Sequence, residues 1–205
     1  MANNMSQSQL RYEVLTWNQV YRQLLNLTRH ICEVGFKPDI IVGISRGGLI
    51  PARVISDLLN NSNIANVKIE RYATVGQTND TTKLTQCLSA NVRGKAVLVV
   101  DEIVDSGESL KVAREHAIEN GALEIKTATI YLKQNCTFEP DFYEKITASW
   151  IVFPWEFNET VKAIYEKYRQ NPKRINEELA KLHLAGVPKR LINYFAHEFH
   201  EAREC

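Results

Sequence analysis

Short apolar runs alternate with segments of helical periodicity along most of the chain. Residues 39–44, in which an apolar run follows Asp39, and residues 97–100 indicate strands buried on both faces, as in a parallel sheet. Residues 66–73 alternate apolar and charged side chains, and this pattern predicts a strand nearer the edge of the sheet. Residues 125–132 predict a further strand that ends at Lys133.

The segments between these strands have the pattern of amphipathic helices. Thr16 can cap a helix from Trp17 to about Val34, which keeps apolar residues on one face. Two further helices are predicted at residues 49–59 and 108–120. The order of elements predicts an α/β fold with a mainly parallel sheet flanked by helices.

Three segments depart from this alternation. Residues 75–89 are polar, and a loop of this length is either disordered, a mobile surface hairpin or a lid. Residues 134–148 are predicted to be irregular. Residues 158–205 predict amphipathic helices at 158–170, 172–184 and 188–203, so we expect a main domain over 1–157 and a helical extension over 158–205.

Two acids follow the second apolar run, at the carboxyl end of the predicted strand. Asp101 and Glu102 follow residues 97–100 directly, and ligands of open α/β sheets gather beyond the carboxyl ends of the strands. Two adjacent carboxylates beside a buried strand are costly unless they bind a cation or hold a ligand. They are therefore candidate site residues.

The loop that follows has the features of a phosphate site. Gly107 permits close approach of the backbone, Ser106 and Ser109 offer hydroxyl donors, and the amino end of the next helix attracts anions. The alternative is an ordinary strand–loop–helix turn in which Asp105 or Ser106 caps the helix.

Other candidate site residues are a turn after the first predicted strand, a lysine at the end of a later strand and two tryptophans. Residues 45–48 (Ser45, Arg46, Gly47 and Gly48) form a glycine-rich turn that contains a cationic side chain. This pattern is equally consistent with an anion-binding loop and with an ordinary turn. Lys133 is either a ligand donor or a solvated strand end. Trp150 and Trp155 are either ligand-stacking or core aromatics.

Composition excludes some classes of function. The 205 residues include 25 Lys and Arg against 24 Asp and Glu, a net charge of +1, which gives no global basic field for nucleic acid. The chain has no apolar run of transmembrane length, and its polar start does not resemble a signal peptide. Its four cysteines are scattered, so we expect free thiols, a cytoplasmic location and no membrane partner.

Residues 97–109 resemble the ligand-binding motif of the type I phosphoribosyltransferases. This resemblance implies that Asp101 and Glu102 hold the ribose hydroxyls of phosphoribosyl pyrophosphate. It also implies that Asp105 assists the purine's proton in catalysis. The 5′-phosphate would be bound by the loop that comprises Asp105, Ser106, Gly107, Glu108 and Ser109.

Two more segments gain roles from the same resemblance. Ser45, Arg46, Gly47 and Gly48 correspond to the pyrophosphate loop, in which a non-proline cis bond is expected at Ser45–Arg46. Residues 75–89 correspond to a flexible catalytic lid. Tyr72 stands at its start and Lys83 is a pyrophosphate contact, although the 6-oxopurine enzymes have Ser-Tyr where this chain has Arg71-Tyr72.

Residues 149–156 resemble a Trp-Ile-x-x-Pro-Trp-Asp segment of xanthine-guanine phosphoribosyltransferases and their archaeal relatives. Trp150 would stack on the purine, backbone groups of Trp150 and Ile151 would contact its two-position, and Lys133 would donate to its six-oxo group. Glu156 replaces the usual Asp and is a candidate metal ligand. The segment would belong to a small hood region.

The resemblance implies a purine salvage transferase that gives a nucleoside monophosphate and pyrophosphate. Its cofactor would be Mg²⁺, held mainly by the substrate, and its partners phosphoribosyl pyrophosphate and guanine, hypoxanthine or xanthine. We expect a homodimer or a higher homo-oligomer. Two alternatives stay open: a non-catalytic regulator that senses phosphoribosyl pyrophosphate, and a transferase for adenine or another base.

Overall fold

The computed structural model describes residues 11–72 and 81–201. Strands and helices within these residues are numbered in chain order. The strands are β1 (Tyr12–Val14), β2 (Ile40–Ser45), β3 (Ile64–Tyr72), β4 (Thr81–Gln86), β5 (Ala96–Val104), β6 (Glu124–Lys133), β7 (Phe142–Thr147) and β8 (Trp150–Val152). The helices are α1 (Trp17–Glu33), α2 (Leu49–Leu58), α3 (Glu108–Glu119), α4 (Phe157–Lys167), α5 (Pro172–Leu184) and α6 (Lys189–Glu201).

The chain forms two compact units. The sheet unit is Tyr21–Ala148, and the helical unit combines Met1–Val20 with Ser149–Cys205. These limits differ from the predicted boundary after residue 157, and that boundary stays a prediction. No helix in the described ranges is long and apolar enough to cross a membrane.

The sheet unit is built on a six-stranded sheet of order β4-β3-β2-β5-β6-β7. Its neighbouring strands are parallel, except that β4 runs antiparallel to β3 at one edge. The predicted α/β fold with a mainly parallel sheet flanked by helices is therefore confirmed.

Strand β5 forms the centre of the core. Val97, Leu98, Val99 and Val100 are all completely buried, which confirms the prediction of a strand covered on both faces. Val97 and Val99 belong to a hydrophobic cluster that includes residues of α3. Helix α3 is thus held against the strand that precedes it.

The predicted helices agree closely with the structure. Thr16 caps α1 as expected, because the Gln19 N–H donates to Thr16 Oγ1 at 3.3 Å and the Thr16 N–H donates to Gln19 Oε1 at 2.8 Å. The three helices expected after residue 157 are also present, as α4, α5 and α6.

Strand β5 extends beyond the apolar run 97–100 to Val104, because its pairing with β6 reaches Val104↔Leu132, so both acids lie on the strand. Two predictions about strands and loops were wrong. Residues 134–148 were expected to be irregular, yet Phe142–Thr147 forms β7, whose buried Phe142 packs against aromatic side chains.

The second error concerns the predicted loop at residues 75–89. Residues 81–86 form strand β4, because they continue the backbone pairing of β3 and Leu84 packs against the main core. Residues 75–80 of the expected lid lie outside the described residues. Strand β1 was not predicted at all, since three residues carry too short a pattern to recognise.

In the helical unit, β1 and β8 pair in parallel and helices α4 to α6 supply a separate core. Its buried members come from β8, from all three helices and from the α5–α6 connection: Val152, Val161, Ile164, Ile175, Leu182, Val187 and Ile192. The short strand pair is therefore packed against the C-terminal helices.

Candidate functional site

The two predicted acids lie on β5 near its carboxyl end. Asp101 is paired with Thr129 of β6 and accepts the N–H of Glu102 on its Oδ1 at 3.1 Å. The Oε2 atom of Glu102 is buried and has no hydrogen-bond partner among the described residues. A buried carboxylate oxygen of this kind is unfavourable without a ligand, so its position indicates a binding function.

The protonation of Glu102 follows from its surroundings. Burial and the neighbouring charge of Asp101 raise the pKa of Glu102 well above its usual value, although the charge of Arg46 opposes this shift. A ligand that brings positive charge or hydroxyl donors would therefore favour the ionised carboxylate. Raised pKa values of carboxyl groups are typical of functional sites.

The turn after β2 lies directly against these acids. A Cβ atom added to Gly47 would overlap the carboxylate group of Glu102. A Cβ on Gly48 would be 2.8 Å from the carbonyl oxygen of Ile44 and closer still to that of Val100. Glycine is therefore required at both positions by close approach. The Ser45–Arg46 peptide bond is cis, as predicted.

The second predicted anion loop is built around Gly107. This residue has φ of +90° and directly precedes α3, which begins at Glu108. Ser106 Oγ accepts the N–H of Glu108 at 3.4 Å, and Ser109 lies in the first helical turn. The loop thus presents the amino end of a helix, which attracts phosphate.

Residues after β6 hold this loop in place, although no sequence motif predicted this role for them. The backbone N–H and the hydroxyl of Thr137 donate to the carbonyl oxygen of Ser106 at 3.1 and 2.9 Å. A Cβ on Gly107 would be 2.6 Å from Cβ of Phe138. No local pattern indicates these contacts, since they join segments 31 residues apart.

Lys133 is the last residue of β6, as predicted, and is paired with Thr147 of β7. Because β2, β5 and β6 are parallel neighbours, their carboxyl ends share one edge of the sheet. This edge, the carboxyl edge, carries the turn at 45–48, the acids and the loop at 105–109 together with Lys133. The structure thus brings together four groups that are separate in sequence.

The predicted lid residues lie on the antiparallel strand pair. Lys83 on β4 is in register with Glu70 on β3, and Tyr72 is the last residue of β3, with a side chain outside the described part. Thr82 donates to Glu108 Oε2 at 2.8 Å. Strand β4 is thereby linked to the first residue of α3.

The predicted purine segment belongs to the helical unit. Trp150 is 49% exposed, whereas Ile151 is buried. Trp155 stacks on Phe153 with ring centroids 4.8 Å apart and planes inclined by 12°. Trp155 is thus half-buried against Phe153, while Trp150 keeps a surface that a planar ligand can cover.

Glu156 has a local structural role. Its carboxylate accepts the N–H of Phe153 at 3.4 Å, and its own N–H donates to the carbonyl oxygen of Phe153 at 3.0 Å. Glu156 thereby closes the turn that leads into α4. Its role as a metal ligand stays a prediction.

The acids of β5 are suitable for a hard cation such as Mg²⁺. The unpartnered oxygen of Glu102 and the adjacent Asp101 carboxylate are oxygen donors of the kind that Mg²⁺ prefers. In the described ranges, no group of three or more His, Cys, Asp or Glu side chains is arranged to hold a metal. The residues present therefore fit an ion that takes its other ligands from substrate and water.

Comparisons with known proteins agree with this geometry. A sequence profile of the phosphoribosyl transferase domain matches residues 12–161. The chain is 28% identical to a xanthine-guanine phosphoribosyltransferase of Gluconobacter oxydans over 158 residues, 76% of this chain and 91% of the relative. It is 30% identical to the enzyme of that name from Idiomarina loihiensis over 146 residues, 70% and 86% of the two chains.

A solved structure shows the same similarity. The purine phosphoribosyltransferase of Pyrococcus horikoshii superposes with a TM-score of 0.64 at 34% identity, and the match covers 71% of this chain and 94% of that one.

Proposed function

The chain belongs to the phosphoribosyl transferase domain family, and from this premise we propose that it is a purine salvage enzyme. It transfers the 5-phosphoribosyl group from phosphoribosyl pyrophosphate to guanine, hypoxanthine or xanthine. The products are the nucleoside monophosphate and pyrophosphate. The names of its relatives and of its structural neighbour support a purine as the acceptor.

The observation that carries this proposal is the contact of Gly47 with Glu102 at the carboxyl edge. It places a glycine turn, suited to pyrophosphate, against an acid suited to ribose hydroxyls. The loop at Gly107, with its helix amino end, follows on the same strand and suits the 5′-phosphate. One donor molecule, phosphoribosyl pyrophosphate, carries all three of these groups.

The proposed reaction displaces pyrophosphate at the anomeric carbon. The bond from this carbon to the pyrophosphate oxygen breaks, the bond to the purine nitrogen forms, and the ribose gains positive charge in between. Asp101 and Glu102 orient the ribose and stabilise that charge. Asp105, the first residue after β5, accepts the proton that the purine nitrogen loses.

The pyrophosphate group would be cradled by Arg46, by Lys83 and by the backbone of residues 45–48. Mg²⁺ neutralises the charge of the leaving pyrophosphate when it is bound. Asp101 and Glu102 are the residues of the sheet unit that would reach it, and Glu156 is a further candidate ligand.

The purine contacts are proposed from the family resemblance and from the local structure of each unit. Lys133 would donate to the six-oxo group, Trp150 would stack on the ring, and backbone groups of Trp150 and Ile151 would contact the two-position. Val152 carries no acidic side chain, so recognition of the two-position would depend on backbone groups.

The proposal also includes a lid, a cellular location and an oligomeric state. Residues 75–89, with Tyr72 at their start, would form the lid that excludes water during transfer. The enzyme would act in the cytoplasm, consistent with the free thiols of Cys32, Cys87 and Cys136. It would assemble as a homodimer or higher homo-oligomer.

A base panel tests this function. The purified chain is incubated with phosphoribosyl pyrophosphate, Mg²⁺ and one of guanine, hypoxanthine, xanthine, adenine or a pyrimidine, and pyrophosphate release is measured. We expect release with at least one 6-oxopurine and far less with adenine. Binding of phosphoribosyl pyrophosphate without release for any base would instead indicate a non-catalytic sensor.

A further inference from the structure

The strand that carries Trp150 has little support of its own. It pairs with β1 at three positions, from Tyr12↔Trp150 to Val14↔Val152. The Trp150 N–H donates to the carbonyl oxygen of Arg11 at 2.8 Å, and the Leu15 N–H donates to that of Val152 at 3.0 Å. A two-stranded pair of this length is at best marginally stable in water, so its geometry depends on what it packs against.

The C-terminal helices provide a hydrophobic base for this pair. Val152 is completely buried in the core of the helical unit, and Tyr12 and Val14 of β1 pack against that core. Helix α5 contributes Ile175 and Leu182. The extension after residue 157 is therefore part of the packing beneath Trp150.

A buried carboxylate connects α5 to β1. Glu178 is 0% exposed, and its Oε2 accepts the hydroxyl of Tyr12 at 3.2 Å. Its Oε1 accepts Lys181 Nζ at 2.8 Å and pairs with Arg174 Nη2 at 3.1 Å. Loss of the Tyr12 hydroxyl would leave the buried Oε2 without this hydrogen bond, which is costly, so the contact holds β1 to α5.

Tyr12 stays protonated and Glu178 stays ionised near neutral pH. Burial would raise the pKa of Glu178, but the hydrogen bonds from Lys181 and Tyr12 and the charges of Lys181 and Arg174 lower it below its usual value. Burial and the charge of Glu178 raise the pKa of Tyr12 well above its usual value. Tyr12 is therefore the donor and Glu178 the ionised acceptor.

Tyr12 also lies beside the side chain of Trp150. The two are direct partners across the strand pair, and both line a cavity of about 40 Å³ together with Tyr168. This cavity is far smaller than the pockets of several hundred Å³ that hold small-molecule ligands. It therefore forms the packing environment of the indole rather than a ligand site.

We propose that Tyr12 and Glu178 are positioning residues for Trp150, through which helix α5 sets the affinity for the purine. This proposal rests on the proposed function, in which Trp150 stacks on the base. A ring fixed before the base arrives loses less conformational freedom on binding, and preorganisation of this kind increases affinity.

Steady-state kinetics of Tyr12→Phe test the proposal, because this change removes the hydroxyl and keeps the ring. We expect the KM for the purine to rise on the order of tenfold, since a hydrogen bond to a charged group is lost. The kcat and the KM for phosphoribosyl pyrophosphate should stay within about twofold. The control is Tyr194→Phe on α6, whose side chain is 58% exposed, and it should change none of these values.

Glu178→Gln is the second variant. It should raise the purine KM in the same direction, and the double variant should not exceed the larger single effect, because the two residues act through one contact. Hydrogen exchange at the amides of residues 150–152 gives a readout that does not require activity. Exchange should be faster in Tyr12→Phe than in the wild type and unchanged in Tyr194→Phe.

The outcomes separate this proposal from the proposed function. If the wild type transfers to no 6-oxopurine, the proposed function is wrong, and exchange at Trp150 still decides whether Tyr12 and Glu178 hold it. Unchanged exchange and an unchanged purine KM in Tyr12→Phe would overturn the positioning role. Equal changes in kcat and in both KM values would also overturn it, since they indicate general destabilisation.

Discussion

Gly47 lies so close to Glu102 that any side chain at residue 47 would overlap the carboxylate. The two residues are 55 positions apart in the chain, on the turn after β2 and on β5. Their contact joins the proposed pyrophosphate loop to the proposed ribose acids. The spacing between the two sub-sites is therefore set by backbone packing against one side chain.

Gly47→Ala should disturb both sub-sites at once. The added methyl group must displace the Glu102 carboxylate or the turn, and a displacement of about 1 Å in a site can cost about 100-fold in rate. We expect a loss of that order in kcat/KM for phosphoribosyl pyrophosphate. Gly35→Ala, which strains a backbone of φ +80° without overlapping any atom, controls for a loss of stability alone. Full activity in Gly47→Ala would contradict the assignment.

Replacing both acids should abolish most transfer while the fold is kept. Asp101→Asn with Glu102→Gln preserves shape but removes the charge that favours the developing positive ribose. We expect kcat to fall about 100- to 1,000-fold. The matched control changes two exposed helix carboxylates, Asp57→Asn with Glu115→Gln, and turnover should be retained. Wild-type turnover in the folded site variant would exclude these acids from the ribose site.

The raised pKa of Glu102 predicts how the stability of the fold depends on pH. Between its unfolded pKa of about 4.3 and its higher folded pKa, the folded state binds more protons than the unfolded state, so stability falls as pH rises. Glu102→Gln removes this dependence. The Tm of the variant relative to the wild type should therefore increase from pH 4 to pH 8.

Thermal unfolding of both proteins without ligand, over that pH range, measures this difference. Glu115→Gln, at an exposed position of α3, should show a constant offset from the wild type. A difference for Glu102→Gln that stays constant or shrinks with rising pH would show that Glu102 is not held protonated by the fold.

Lys133 should determine the preference for 6-oxopurines over adenine. An ammonium group offers donors and no acceptor, so it pairs with a six-oxo group and opposes a six-amino group. A mismatch of this kind lowers kcat/KM for adenine relative to a 6-oxopurine on the order of a thousandfold. Lys133→Gln should lower the guanine-to-adenine ratio of kcat/KM, because an amide can both donate and accept.

The control for this measurement lies on the same strand. Lys126 of β6 pairs with Asp141 at 3.0 Å, and Lys126→Gln should leave the ratio unchanged. If the wild type prefers adenine, or if Lys133→Gln leaves the guanine-to-adenine ratio of kcat/KM unchanged, Lys133 does not recognise the base.

The sequence by itself determined the α/β class and the places of most candidate residues. Continuous burial of Val97–Val100 leaves a long apolar run, and helices leave a 3.6-residue period, so both patterns are visible locally. Acids after the apolar run and glycines after the first strand are also local signals. The cis bond at Ser45–Arg46 was expected from the resemblance of the turn to a known loop.

Only the tertiary structure decided which of these signals meet. The contact of Gly47 with Glu102, the support of Ser106 by Thr137 and the link from Glu178 to Tyr12 join residues that are 31 to 166 positions apart. Strands β1, β4, β7 and β8 were missed because they are short or polar and gain their stability from pairing with a neighbour. Local patterns record what each segment buries, whereas contacts between distant segments depend on the packing of the whole chain.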